Sequence, residues 1–163
     1  MTTLFRPVGL HELSLIWDSG MRKFPPRSPH QPIFYPVANA EYAAQIAREW
    51  NTKDGSLAGY VTKFEVADSY IAKFESHTVG SALHREYWIP AERLPEFNAA
   101  LQGTIALQSA FFGPGFQGFV ADRCASHVAP RERNGALLLS ACRSVLRNCL
   151  TPPTLSERRF FAN

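Results

Sequence analysis

No GxGxxG, Walker A, HExxH, GxSxG or CxxC pattern occurs in the 163 residues. Each of these patterns builds one kind of site: a phosphate cradle, a zinc pair, a nucleophile elbow or a redox pair. Their absence removes the chemistries that announce themselves by spacing. Cysteine is scarce, with three residues (Cys124, Cys142 and Cys149), all in the last third of the chain. An odd number without ligand spacing argues against both a zinc site and a disulfide framework. No apolar run reaches the roughly 18 to 20 residues of a membrane helix. The start, MTTLFRPVGL, lacks the charged and long apolar regions of a secretory signal, so a cytoplasmic location is the expectation.

An excess of charge of either sign is missing from most of the chain as well. The overall charge of +3 is unevenly spread. Residues 114–163 hold seven Arg, no Lys and three acids, whereas residues 1–113 hold ten basic and eleven acidic residues. A nearly neutral body has no electrostatic footprint for nucleic acid. The change in composition sets the expected boundary, with a folded domain over 1–113 and an atypical Arg- and Cys-containing tail over 114–163. The tail reads either as a flexible appendage or as coding sequence running past the domain's usual end. Within it, residues 136–150 (ALLLSACRSVLRNCL) have the spacing of one amphipathic helix.

The chain does contain hydrophobic residues at 45%, including 12 Phe and 3 Trp, enough for a core. Thr3–Val8 reads as a strand, with Pro7 marking an edge or an end. Leu10, Leu13, Ile16 and Trp17 then recur at helical spacing before Gly20. Residues 24–32 (FPPRSPHQP) carry four prolines and predict a stiff extended loop. Ile33–Val37 is a strand, and Asn39 is the N-cap of a helix presenting Ala43, Ile46, Ala47 and Trp50. Gly59–Val66 alternates cleanly and is the clearest strand. Asp68 is expected to cap a short helix through Phe74. His84–Ile89 is a strand stopped by Pro90, which opens a helix with Leu94, Phe97 and Leu101. Gly103 then admits a last strand, Thr104–Phe112. The expected fold class is α+β, with small twisted mixed or antiparallel sheets and short helices.

Side chains alternate along a strand, so His84, Glu86 and Trp88 share one face. A carboxylate among Tyr87, Trp88 and Ile89 is either a functional group or an edge-strand acid in water. Arg6 and Tyr35 are the other candidates. Their plain readings are a surface ion pair and a core aromatic.

The stretches LFRPVGLHEL, FPPRSPHQPIFYPVANAEYAAQIAREWN, GYVTKFEV and HREYWIPAERLPEFN resemble a family of small bacterial proteins labelled "ADP-ribosylation/crystallin-J", over about residues 3–112. The order of elements resembles the ADP-ribosyltransferase fold. That resemblance implies NAD as substrate and ADP-ribose transfer to an unknown protein or small-molecule acceptor. It implies Arg6 and Tyr35 as cofactor-binding residues, Glu86 as the catalytic carboxylate and His84 as the group orienting the acceptor. A carboxylate suits the positive charge that develops on the ribose as the nicotinamide bond breaks. The sequence departs from the pattern in two places: PVAN follows Tyr35 in place of a Ser-Thr-Ser run, and His84 replaces a Glu or Gln. Both departures favour the alternative, a non-catalytic nucleotide-binding or protein-interaction module on the same fold. A relative acting on RNA ends would need a more basic body.

Overall fold

The computed structural model describes residues 1–80 and 83–116. Met1–Phe116 is one compact unit. The expected tail helix and the cysteines lie outside the described residues. Phe116, just past the expected domain end, packs its ring 4.7 Å from that of Phe112.

Among the described residues, seven strands and four α-helices follow in chain order: β1 (Thr2–Gly9), α1 (Leu10–Asp18), β2 (Ile33–Phe34), α2 (Ala40–Glu49), β3 (Ala58–Val66), α3 (Asp68–Ile71), β4 (Ser76–Thr78), β5 (Arg85–Tyr87), β6 (Ile89–Pro90), α4 (Leu94–Ala100) and β7 (Leu101–Phe112). The fold is mixed α+β, and all pairings between these strands are antiparallel. β3 is the centre of a β1-β3-β7 sheet. Its alternating pattern is buried on both sides, because helices and loops cover both faces. Gly103, at φ +79, lies where the β3–β7 register shifts, a conformation that a residue with a Cβ resists.

The sheet extends past β1 through one residue. Val37 exchanges two 2.8 Å backbone hydrogen bonds with Phe5 and lies opposite Glu86 on its other side. Beside it, Ala38 N–H donates to Arg85 O at 3.0 Å and Tyr87 N–H to Pro36 O at 2.9 Å. Glu86 in turn faces His77 across the β4–β5 pair. Phe5's backbone turns toward Val37, so Pro7, two residues on, presents its missing N–H on that same outward side. The expected edge character of Pro7 is thereby explained.

Directly opposed residues of antiparallel strands share a face. Phe5, Val37, Glu86 and His77 therefore form one row, on the face covered by α2. There Tyr42, Ala43, Ala47, Val37 and Val61 form a cluster with Phe5 partly buried against it. Gly59 lets α2 approach, since a Cβ there would run into the backbone carbonyl of Ala47. The opposite face carries Leu4, Arg6 and Val8. Its core is aromatic, with Phe24, Phe34, Phe64 and Phe97 in mutual ring contact at 4.8–6.1 Å.

Several expectations are corrected. The strand expected over Ile33–Val37 is broken, since Pro32 and Pro36 leave only Ile33–Phe34 as regular strand, paired to Ile89–Pro90. His84–Ile89 likewise divides at Trp88 into β5 and β6. Asn39 does cap α2, accepting from Glu41 N–H and Tyr42 N–H. Trp50, however, lies past the helix end and is 64% exposed. Asp68 does not cap α3; its carboxylate takes the Met1 amino group and the Thr2 hydroxyl. Leu101 opens β7 instead of closing α4. Among the described residues, no helix is long and apolar enough to cross a membrane.

Candidate functional site

Glu86 is the centre of the arrangement. Its Oε1 accepts from the Tyr42 hydroxyl at 2.6 Å and its Oε2 from Trp88 Nε1 at 3.0 Å. Tyr42 comes from the first turn of α2, 44 positions earlier, and reaches the carboxylate because α2 lies across the row containing Val37 and Glu86. Two histidines flank the pair. His84 stacks on the Tyr42 ring with centroids 4.1 Å apart and 13° between planes. His77 stacks on Trp88 at 4.3 Å and 23°. Tyr35 meets Trp88 edge to face at 6.2 Å. The Tyr35 and Trp88 side chains stay 38% and 42% exposed, which leaves aromatic surface facing solvent beside the carboxylate.

His84 Nδ1 lies 3.0 Å from Val79 O. A carbonyl only accepts, so Nδ1 carries the proton, and in the neutral ring Nε2 is the acceptor. A carboxylate has about four acceptor positions, and among the described residues Tyr42 and Trp88 occupy two. Glu86 can thus take further N–H or O–H donors from a ligand.

Burial, with the hydrogen bond to Glu86 and its charge adding to it, pushes the Tyr42 phenol from 10.0 up to about 12. Tyr42 is therefore a donor at any physiological pH. The unfolded chain releases this proton near pH 10 while the folded chain holds it. The associated stability is full below pH 10 and disappears as pH rises through about 12. Urea midpoints measured from pH 9 to 12 should fall more steeply for the wild type than for Tyr42→Phe. Parallel curves would assign the shift elsewhere.

Arg6 belongs to a different place. It lies on the other face of the sheet, its side chain 7% exposed and its guanidinium 4.5 Å from the Phe34 ring centre. Nε and Nη2 grip Glu12 at 2.7 and 3.1 Å, and Nη1 donates to Tyr35 O at 3.1 Å. Every nitrogen has a protein partner, with three of the five N–H donors used, and these bonds hold Arg6 to the fold. Its hydrogen bond to the Tyr35 carbonyl ties the aromatic strand to β1. The structure brings Glu86, His84 and Tyr35 into one cluster, through Tyr42 and Trp88, and leaves Arg6 outside it.

Three members of the cluster escape sequence reasoning as site residues. Trp88 was legible by alternation with Glu86. His77 and Tyr42 carry no local signal, because their partners are distant in sequence. Among the described residues, no group of three His, Cys, Asp or Glu side chains is arranged to hold a metal ion. The chain matches no protein-family description, no curated protein and no solved structure.

Proposed function

We propose that the domain is a nucleotide-recognition module that binds NAD, or a relative with a similar planar cationic ring, at the Glu86 cluster. The observation that carries this reading is a carboxylate with free acceptor positions set among exposed aromatic rings. The nicotinamide ring of NAD is flat and positively charged, and its carboxamide and ribose present N–H and O–H donors. Aromatic faces attract such a cation and the carboxylate accepts the donors. The phosphates must then point away from Glu86, since like charges repel.

ADP-ribose transfer, on an ADP-ribosyltransferase-like architecture, is the second reading. It is favoured by His84 and Glu86 flanking one aromatic ring, so that a base and a charge-stabilising carboxylate are neighbours. In that scheme Glu86 balances the charge developing on the ribose, and His84 Nε2 takes the acceptor's proton. Without Arg6, the scheme has one fewer cofactor contact than the resemblance implies.

Isothermal titration of the full chain with NAD, together with a nicotinamide-release assay, separates the two. The module reading expects saturable binding that falls roughly tenfold or more in Glu86→Gln and Trp88→Ala, with no nicotinamide released. Release that depends on Glu86 and His84 would establish the transferase instead. No binding by the wild type would end both.

A further inference from the structure

The proline-rich loop holds a guanidinium whose best edge is only half used. Arg27, between Pro26 and Ser28, is 12% exposed at its side chain. Its Nη1 lies 3.5 Å from Glu12 Oε2 and its Nη2 donates to Gln31 Oε1 at 2.7 Å. Its Nε is buried and has no hydrogen-bond partner among the described residues.

An arginine presents Nε–H and Nη2–H in parallel, at the spacing of two oxygens on one carboxylate or phosphate. Arg6 shows what that edge takes in this protein, since its Nε and Nη2 hold the two oxygens of Glu12. The same edge of Arg27 holds one neutral amide oxygen. A buried donor left unpaired is unfavourable, so the arrangement favours any group that fills it.

Charge points the same way. Two guanidiniums share the single carboxylate of Glu12, leaving an excess of one positive charge largely out of water. Desolvation, with the charge of Arg6, pushes the Arg27 guanidinium below its usual value, against the pull of Glu12. Arg22 and Lys23 add to the loop's charge, and no acid occurs between Asp18 and Glu41.

We propose that Arg27 is a phosphate-binding site in which two phosphate oxygens take Nε and Nη2 together, displacing the Gln31 carboxamide. Gln31 is placed to act as that removable cover. It is exposed, and its N–H bonds back to Ser28 O at 2.8 Å, closing a turn that lays its side chain over Arg27. This site borders the Glu86 cluster at Tyr35, whose phenol lies within electrostatic reach of Arg27, but the proposal does not rest on the NAD reading.

The test is a titration of the full chain with inorganic phosphate at constant ionic strength, followed at the arginine Nε–H resonances. The Arg27 Nε–H signal should shift and saturate. Gln31→Ala, which removes the competitor, should bind several-fold tighter. Arg27→Lys, which keeps the charge and loses the fork, should bind roughly tenfold weaker. Arg27→Gln should not bind. The proposal is overturned if no saturable shift occurs, if Arg27→Lys matches the wild type, or if Gln31→Ala weakens binding. Acetate run in parallel should bind more weakly; tighter binding of acetate would overturn the assignment to phosphate.

Discussion

Replacing Glu12 by Gln should destabilise the domain by about 3 kcal/mol, at the low end of the roughly 3–5 kcal/mol for removing one partner of a buried ion pair. The reason is the asymmetry of the network. Among the described residues Glu12 is the sole carboxylate serving Arg6 and Arg27, so its neutralisation leaves two guanidiniums facing each other in a poorly solvated place. A carboxylate in the first turn of α1 also complements the helix dipole, which adds a few tenths of a kcal/mol.

Arg6→Met should cost less than Glu12→Gln, because Glu12 then keeps Arg27 and the excess charge is removed. The double substitution Arg6→Met with Glu12→Leu should cost less than the single changes Arg6→Met and Glu12→Leu added together, since one guanidinium, Arg27, is then left without its carboxylate in place of two facing each other. Urea denaturation of the wild type, the three single variants and the double variant measures all of this. Equal losses for Glu12→Gln and Arg6→Met would mean that Arg27 carries none of the coupling. The prediction also bears on function: a loss of NAD binding in Arg6→Met that tracks stability alone fits a structural Arg6, whereas loss of binding in a fully stable variant would return Arg6 to the site.

How much of this was legible follows from how far each contact reaches along the chain. β3 was readable because its alternation is local and its central place in the sheet reinforces it. The Asn39 cap was readable because a cap is satisfied two and three residues away. Asp68 has the same local signature, yet it was captured by the chain's amino group, a partner 67 residues away. Trp50 continues the spacing of Ile46 but falls on the residue where α2 ends, so periodicity extended one position too far.

The candidate site divides in the same way. Alternation grouped Glu86 with Trp88 and His84, and the structure clusters them around Tyr42 although regular strand covers Arg85–Tyr87 alone in that segment. Placing Arg6 with them required knowing its parity relative to a strand 80 residues later. Parity there depends on Val37, an isolated bridge between two prolines' worth of irregular chain and the cap of α2. A shift of one residue would exchange the faces. Arg6 and Glu86 come from segments that are both strands, as expected, and still face opposite ways.

That dependence makes Val37→Pro the substitution with the most informative failure. Proline removes the N–H that reaches Phe5 O at 2.8 Å, leaving a carbonyl of β1 without its donor. The lost bond and the unsatisfied acceptor together cost about 2–4 kcal/mol. The loss should be directed, since Val37 is the one residue through which β1 meets β5 among the described bridges. Amide exchange should accelerate at Ala38 and Tyr87, whose hydrogen bonds flank Val37, while Val61 and Thr62 in β3 keep more of their protection. Trp88 emission should shift to the red as its hydrogen bond to Glu86 loosens. Val37→Ala is the control, because it removes side-chain packing but keeps the backbone ladder. It should lower global stability while leaving the Ala38 and Tyr87 amides protected relative to the rest of the sheet. If both variants exchange alike, side-chain packing under α2 holds the Glu86 hairpin, and the single-residue bridge is incidental to the site's geometry.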